Sequence, residues 1–214
     1  MERSTSFHSI NYARDMPGLS GRRAEAARND DAILAAARDV FVADPDAPVS
    51  EVAERAGVGI SSLYRRYRSK EDLLRKLCGD GLQLYIDIAH EAGDDFATFM
   101  ARIIEADVHA LTRSLAGRFT PTAELERAAH LADELNRKIV ARAQAAGVLR
   151  DDVEPDDLTF VLEQIASLHG RTPERTAQLR ARYLAIQLDG LQAPARTPLP
   201  GPAPTTEEQH ARWG

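Results

Sequence analysis

The sequence predicts an all-α protein in which a small N-terminal helical domain is joined to a larger helical domain. Alanine and leucine are abundant and aromatic residues make up only 6% of the 214 residues, a balance that favours helices. Apolar residues recur at helical spacing, and the alternation typical of strands is not found. A glycine-containing turn near residues 57–59 joins two short helical segments, which is the pattern of a helix-turn-helix motif.

The N-terminal part contains the signals for three helices. Residues 1–27 show no sustained periodicity and are predicted to form a disordered arm. The first helix is predicted to begin near Asn29, which provides a cap ahead of two aspartates in the first turn. Prolines within residues 44–48 break the chain before a short second helix, which Gly57 ends. A third helix is predicted over about 60–67.

The C-terminal part is predicted to be a set of longer helices. A capping-box pattern at Ser69 predicts a helix over about 70–92. Aspartates, or a threonine followed by proline, mark the starts of the later helices. These helices are predicted over about 94–116, 120–146, 155–170 and 172–191. The Pro-rich segment 193–214 is predicted to be disordered. The two domains are therefore expected to span 28–74 and 75–192.

Composition excludes several classes of protein. No apolar segment is long enough to cross a membrane and the N-terminus lacks the apolar region of a secretion signal, so a cytoplasmic protein is expected. Cys78 is the only cysteine, which rules out an intrachain disulfide. The six histidines are scattered, and no zinc spacing, phosphate-binding loop or catalytic triad can be assigned. We therefore predict no enzymatic activity, no metal and no cofactor.

Charge is divided unevenly along the chain. Residues 1–80 contain 13 Arg or Lys and 13 Asp or Glu, whereas residues 81–214 contain 14 and 20. The net charge of −6 thus belongs to the second part. Within residues 55–76, seven basic residues stand against two acidic ones. A local basic patch of this kind matters more for nucleic-acid binding than the sum over the chain.

The stretch AGVGISSLYRRYRSKEDLL, residues 56–74, combines small residues, hydroxyls, phenols and cations. The second helix of a helix-turn-helix enters the major groove of DNA by its N-terminal part. There Ile60 can pack on a thymine methyl group, and two serines can reach base edges or phosphates. Tyr64, Arg66 and Lys70 are placed to contact phosphates. The predicted DNA contacts are Gly59, Ile60, Ser61, Ser62, Tyr64, Arg65, Arg66 and Lys70. The alternative is a solvated basic face on helices that only pack.

This segment resembles the TetR (tetracycline-repressor) family of bacterial regulators over about residues 29–76. The family pattern appears here as Val52-Ala53, Ala56-Gly57-Val58, Gly59, Ser61-Ser62, Leu63-Tyr64, Tyr67 and Ser69-Lys70-Glu71. The resemblance implies that residues 59–65 form a recognition helix. It also implies phosphate contacts by Ser50, Ser62, Tyr64 and Lys70. Pro48 and Gly59 stand where the family usually has Ser or Thr caps, which weakens the transfer of contacts near Pro48.

The resemblance further implies that the larger domain binds a ligand and forms a dimer. The last predicted helix is apolar on two sides, so both sides must be buried. We predict that the last two helices pair with their copies in a second subunit, and the alternative is a core within one chain. The predicted interface consists of Leu158, Val161, Leu162, Ile165, Tyr183, Leu184, Ile186 and Leu188.

The helix after Asp94 is the candidate to line a ligand pocket. Most of its apolar residues share one face, and Asp107 lies in the middle of that face, where a carboxylate needs a partner. The partner is either a cationic or hydroxylated ligand, or an Arg, His or hydroxyl group of the core. The predicted lining residues are Tyr85, Phe96, Phe99, Met100, Ile103, Asp107 and Leu111.

These observations predict a homodimeric transcriptional regulator with a helix-turn-helix DNA-binding domain and a ligand-binding and dimerisation domain. Its predicted partners are double-stranded DNA with a palindromic operator, a second copy of the chain and a small-molecule effector. The predicted function is a repressor that the effector releases from the operator. Two alternatives stay open: a DNA-binding regulator without a small-molecule ligand, and a helical protein-interaction module that has lost DNA binding.

Overall fold

The computed structural model describes residues 21–108, 115, 117–195, 197–205 and 207–208, except for the side chains of residues 21–26. Every regular element in this part of the chain is a helix, which confirms the predicted all-α class. The helices are α1 (Gly21–Ala43), α2 (Val49–Arg55), α3 (Ile60–Arg66), α4 (Lys70–Ala92), α5 (Phe96–Ala106), α6 (Ala123–Ala145), α7 (Pro155–Ala166) and α8 (Pro173–Leu191).

The N-terminal domain consists of α1, α2, α3 and the first part of α4 around one apolar core. Phe41 from α1 and Val52 from α2 are fully buried in it, as are Leu63 from α3 and Leu73 from α4. A seven-residue helix such as α3 is too short to be stable by itself. Burial of Leu63 therefore holds α3 against the rest of the domain.

The C-terminal domain forms a second core around the remainder of α4. Here α4 packs against α6 and α5, and α5 also packs against α7 and α8. The rings of Tyr85 and Phe99 meet edge to face with their centroids 5.7 Å apart. Leu162 from α7 and Leu184 from α8 are buried in the same core. Helix α4 contributes to both cores and therefore connects the domains as one continuous helix.

The predicted helix starts are largely reproduced by side-chain caps. Ser69 accepts a hydrogen bond from the backbone of Asp72 at the start of α4, and Thr172 caps α8. At the start of α6 the cap is Thr122 rather than the predicted Thr120. Two threonines with one proline between them offer the same local signal, so the sequence does not distinguish them.

Two helix ends differ more strongly from the prediction. Helix α1 already includes residues 21–27, which were predicted to belong to a disordered arm, while residues 1–20 lie outside the described part. Helix α5 ends at Ala106 instead of near residue 116, because Asp107 takes a left-handed conformation with φ of 52°. Aspartate tolerates this conformation better than most residues.

The tail that follows α8 makes specific contacts over its first residues. Arg150 Nη2 donates to the backbone oxygen of Thr197 at 2.6 Å, and the backbone N–H of Leu199 donates to Asp152 at 2.9 Å. The sequence predicted disorder for residues 193–214. In the structure, the first part of this segment lies against the loop between α6 and α7, held by charged groups that are far away in sequence.

The two domains also meet on both sides of residues 109–114. Before this segment, Arg38 Nη1 of α1 donates to the backbone oxygen of Ala106 at 3.2 Å. After it, Leu115 is buried in the core of the N-terminal domain. The backbone N–H and C=O of Thr120 are both bonded to side chains of α4. The C-terminal domain is therefore attached to the N-terminal domain by contacts in addition to α4.

Candidate nucleic-acid interface

The turn between α2 and α3 is built from small residues. Gly57 has a φ of 68°, a left-handed conformation that glycine adopts without strain. The backbone N–H of Val58 donates to Ala53 O at 3.0 Å, which closes the turn on the end of α2. Gly59 is the N-cap of α3 and makes no side-chain cap. The predicted glycine turn is thus present, and the start of α3 carries little bulk.

One side of α3 is exposed and the other is buried. Leu63 and Tyr67, which are four residues apart, both point into the domain. Ile60 is 40% exposed and Tyr64 is 48% exposed, so both side chains are accessible to a partner. We call Ile60, Ser61, Tyr64 and Arg65, which are exposed together on α3, the recognition surface. The structure therefore brings four of the predicted DNA contacts together on one face.

Two further predicted contacts support this face. Ser62 is half-buried and accepts a hydrogen bond from Arg65 Nη2 at 3.2 Å, so it orients an arginine of the recognition surface. Ser50 is exposed in the first turn of α2. Both residues stay predicted DNA contacts.

Arg66 is engaged within the domain. Its guanidinium forms a bidentate pair with Asp30 of α1, with nitrogen-to-oxygen distances of 2.8 and 2.7 Å. The hydroxyl of Tyr67 donates to the same carboxylate at 2.7 Å. The hydrogen bond from Arg66 lowers the pKa of Asp30, although partial burial opposes this. Partial burial and the bond to Asp30 raise the pKa of Tyr67. Arg66 is thus tied to α1 in this structure, whereas the sequence indicated a side chain free for phosphate.

Lys70 is also held within the domain. Its Nζ donates to the backbone oxygens of Pro45 and Ala47, at 2.9 and 2.8 Å. The same ammonium lies 4.9 Å from the centre of the Phe41 ring, within the range of a cation–π interaction. Lys70 thereby closes the loop between α1 and α2, which contains the helix-breaking prolines.

We predict that Lys70→Met lowers the free energy of unfolding by about 2 kcal/mol, because two backbone oxygens lose a charged donor. DNA affinity should fall only as far as the variant is unfolded, and the dependence of that affinity on salt concentration should not change. Lys76→Met is the matched control, since Lys76 is an exposed lysine of the same helix that pairs with Asp80. A reduced salt dependence for Lys70→Met in a fully folded protein would instead identify a phosphate contact.

The predicted pocket residues lie in the core of the C-terminal domain. Tyr85, Phe96, Phe99, Met100 and Ile103 are buried and pack on one another. Leu111 lies outside the described residues. Asp107 finds its partner within the protein, since Arg180 Nη1 donates to its carboxylate at 2.8 Å. The partner is therefore a core arginine, which is one of the two options that the sequence left open.

A polar groove of about 520 Å³ lies elsewhere on the C-terminal domain, between α6, the start of α7 and the tail. The sequence analysis did not find it, because residues far apart in sequence form it. It is lined by Asp133, Asn136, Arg137, Glu154, Pro155, Asp156, Thr159, Ala203, Pro204 and Thr205.

The predicted dimer residues fall into two groups. Leu158, Leu162, Ile165 and Leu184 are buried within the single chain, where they belong to its own core. Val161 and Leu188 are half-buried. Tyr183 and Ile186 are 45% and 52% exposed on α8. The last helix thus has the two apolar sides that were predicted, and one of them faces solvent in the monomer.

Two charged residues with structural roles are missing from the sequence-based prediction. Asp30 has the local signature of a helix start, and its bond to Arg66 joins residues 36 positions apart. Arg180 lies among the apolar residues of α8 and is buried in the C-terminal domain. A charged residue within an apolar stripe is the signal that would have indicated a buried ion pair.

The small N-terminal domain, the glycine turn and an exposed second helix define a helix-turn-helix DNA-binding regulator. Comparison with known proteins agrees with this class. The model of bacterial regulatory proteins of the tetR family matches residues 33–77. The model of the transcriptional regulator SbtR-like C-terminal domain, a TetR C-terminal domain, matches residues 91–193. The chain belongs to the TetR family of transcriptional regulators.

Solved structures of this family resemble the chain over most of its length. A TetR transcription regulatory protein from Mycobacterium vanbaalenii is 25% identical to this chain, with a TM-score of 0.54. The aligned region covers 80% of this chain and 99% of that protein. The TetR regulator SCO0520 from Streptomyces coelicolor is 26% identical, with 77% and 99% covered and a TM-score of 0.52. LfrR from Mycobacterium smegmatis, solved in complex with proflavine, shares the fold at 21% identity, with 77% and 97% covered and a TM-score of 0.53. Among curated proteins no significant match is found. No helix of the described residues is long and apolar enough to span a membrane.

Proposed function

We propose that the protein is a homodimeric repressor that binds a palindromic operator and is released from it by a small molecule. The recognition surface is the observation that supports DNA binding most directly. It presents Ile60, Tyr64 and Arg65 outward on a helix whose inner side is fixed by Leu63 and Tyr67. A large apolar residue and a tyrosine exposed beside arginine suit contact with bases and phosphates in a major groove.

Selection of bound fragments from the genomic DNA of the source bacterium tests this function. We expect wild-type protein to enrich one or a few palindromic sites and Tyr64→Ala to lose them, because the variant removes an exposed contact without opening a cavity. Val148→Ala is the control, since Val148 is exposed to a similar degree in the C-terminal domain. Identical, unselective recovery by all three proteins would favour the interaction module that has lost DNA binding.

Dimer formation is supported by the outer side of α8. Tyr183 and Ile186 are exposed there and the half-buried Leu179 lies on the same face, four residues before Tyr183. An apolar stripe of this kind suits a twofold interface, in which the same surface of each subunit meets its copy. A twofold dimer would also place two recognition helices on two half-sites of a palindrome.

We predict that Ile186→Glu converts the dimer to a monomer at micromolar concentration, because the variant would bury an unpaired carboxylate in an apolar interface. Affinity for the palindromic operator should then fall, while the melting temperature of the folded subunit should change little. Ala185→Glu adds the same charge at an exposed position outside the stripe and should stay dimeric. Sedimentation equilibrium measures both variants, and a wild type that is monomeric at this concentration would refute the dimer.

Release by a small molecule requires a coupling between the two domains. The effector must bind the form that does not fit DNA more tightly, and DNA must weaken effector binding by the same factor. The continuous helix α4 and the contacts around residues 109–114 are the physical connections available for this coupling. LfrR, which shares the fold, was solved with proflavine, which shows that one such fold holds a small molecule.

A regulator without a small-molecule ligand is the second candidate. It is favoured by the close packing of the predicted pocket residues, since Phe99, Met100 and Ile103 are each at most 1% exposed. The reciprocal coupling separates the two candidates. Under the first proposal, a compound that binds the protein weakens operator binding by the same factor by which the operator weakens binding of the compound. Equal operator affinity with and without a bound compound supports the second.

A further inference from the structure

We propose that Asp30 sets the orientation of the recognition helix α3 on DNA, and that Arg66 acts with it as a positioning residue instead of a phosphate contact. This inference rests on the proposed DNA-binding function, because it assigns roles within the same interface. Asp30 belongs to α1, which is outside the helix-turn-helix motif proper, so neither the turn nor the basic stretch indicates it.

The geometry of the contact restricts direction as well as distance. Arg66 Nε donates to Asp30 Oδ1 at 2.8 Å and Nη2 donates to Oδ2 at 2.7 Å, so the guanidinium and the carboxylate lie side by side. A bidentate pair of this kind adds geometric specificity to its attraction. Tyr67 Oη donates to Oδ1 at 2.7 Å, which gives the carboxylate a third donor. Asp30 is only 18% exposed, whereas Arg66 is 51% exposed.

The position of this contact explains why α3 needs it. The helix has seven residues and its N-cap, Gly59, makes no side-chain hydrogen bond. Leu63 anchors the middle of the helix in the core, but an apolar contact is non-directional and permits tilting. The bonds from Arg66 and Tyr67 to Asp30 provide a second anchor at the C-terminal end of α3, about 9 Å along the helix axis from Ile60. Two anchors fix the tilt that places Ile60 and Tyr64 in the groove.

Because Asp30 is negatively charged, two effects of it on DNA binding can be distinguished. One is repulsion of the phosphates, and the other is orientation of α3. An acidic group near DNA opposes the phosphates, and its removal alone should strengthen binding to every sequence. If Asp30 positions α3, its removal should instead weaken binding to the selected sequence and leave binding to unselected DNA unchanged or stronger. The two roles therefore predict changes of opposite sign on the same DNA.

Binding to two duplexes tests the inference. The first duplex is the one that wild-type protein enriches from a random-sequence duplex pool, and the second is a shuffled duplex of the same length and composition. The variants are Asp30→Asn and Arg66→Gln, and Asp31→Asn is the control, because Asp31 is an exposed acid of the same helix. We expect Asp30→Asn and Arg66→Gln to weaken binding to the enriched duplex about tenfold, the factor for one lost charge-assisted hydrogen bond. Binding to the shuffled duplex should not weaken, and Asp31→Asn should lose no selectivity.

The salt dependence decides the role of Arg66. A positioning residue leaves the slope of log affinity against log salt unchanged, whereas loss of a phosphate contact reduces it by about one. Weaker binding of Arg66→Gln to both duplexes with a reduced slope would overturn the assignment of Arg66. Equal behaviour of Asp30→Asn and Asp31→Asn would overturn the assignment of Asp30. If wild-type protein enriches no sequence at all, the proposed function itself fails, and the inference fails with it.

Tyr67→Phe keeps the inference testable if Asp30→Asn or Arg66→Gln does not fold. It removes one hydroxyl bond to Asp30 and keeps the buried ring, and we expect a loss of selectivity of about threefold with an unchanged salt slope. Melting curves and helix content show which variants are folded at the assay temperature. Full selectivity in a folded Tyr67→Phe, together with a folded and selective Asp30→Asn, would contradict the second anchor.

Discussion

Replacing Arg180 with leucine is expected to lower the free energy of unfolding by about 3 kcal/mol, at the lower end of the range for breaking a buried ion pair. Arg180 is 8% exposed, and its guanidinium bonds to three groups. Nη1 donates to Asp107 at 2.8 Å, Nη2 to the backbone oxygen of Ala166 at 2.7 Å, and Nε to that of Leu168 at 3.2 Å. Leucine leaves all three acceptors without this donor.

The three contacts connect separate elements, which is why a large effect is expected. One backbone oxygen belongs to Ala166, the last residue of α7, where carbonyls have no partner within the helix, and the other belongs to Leu168, two residues further on. Asp107 ends α5, and burial raises its pKa although Arg180 opposes this. Without Arg180 the partly buried Asp107 carboxyl loses the cation bonded to it, and its pKa rises further. For a chain of this length the loss corresponds to a melting temperature lower by about 6–12 °C.

Chemical denaturation of three variants checks this prediction. Arg182→Leu is the control, since Arg182 is exposed two residues further along α8 and should change stability by less than about 0.5 kcal/mol. The double variant Asp107→Asn with Arg180→Leu should recover part of the loss, because the amide leaves no unpaired charge and asparagine also tolerates the left-handed conformation of this position. Equal stability of Arg180→Leu and wild type would show that water replaces the guanidinium and that the pair is not structural.

Sequence reasoning succeeded where the signal is local. Ser69 and Thr172 cap the helices that they were predicted to cap, and Gly57 takes the left-handed conformation that ends α2. Such signals depend on a few neighbouring residues and elementary backbone sterics. The inward positions of Leu63 and Tyr67 followed from helical spacing in the same way. The fold class and the recognition helix could therefore be predicted from short segments.

Local sequence could not indicate the distant partners of charged side chains. Lys70 is bonded to the loop between α1 and α2, more than 20 positions earlier, and Arg66 to Asp30, 36 positions earlier. Local sequence marks both only as basic residues next to a recognition helix, which also describes a phosphate contact. The end of α5 has a similar cause, since Asp107 is held by Arg180, 73 positions later. Helical periodicity continues through this point and contains no stop signal for α5.

An apolar contact between residues far apart in sequence also crosses the boundary between the domains. It is made by Leu115. Leu115 is 1% exposed in the core of the N-terminal domain, with Phe41 and Leu77 in the same cluster. In sequence it lies after α5, within the part predicted to be the ligand-binding domain. The N-terminal core is therefore completed by a residue from the other side of the predicted boundary at residue 75.

Leu115→Ala is expected to lower the free energy of unfolding by about 2–5 kcal/mol, because it opens a cavity in a packed core. The cavity lies in the DNA-binding domain, so operator affinity should fall as well, although Leu115 itself is far along the chain from α3. Leu131→Ala is the matched control: the same side chain is removed at a position that is 40% exposed on α6. Thermal unfolding and operator binding are measured on both variants. Their difference gives the effect of losing a buried side chain, because the Leu→Ala change itself is the same in both.

The same variant tests whether the domains communicate through this contact as well as through α4. If Leu115 transmits the coupling, a folded Leu115→Ala should show a smaller change in effector affinity on adding operator than wild type, since coupling between the two ligands is reciprocal. A variant that is destabilised yet retains the full coupling would assign communication to α4 alone. Equal stability of Leu115→Ala and Leu131→Ala would show that the N-terminal core does not depend on the segment after α5.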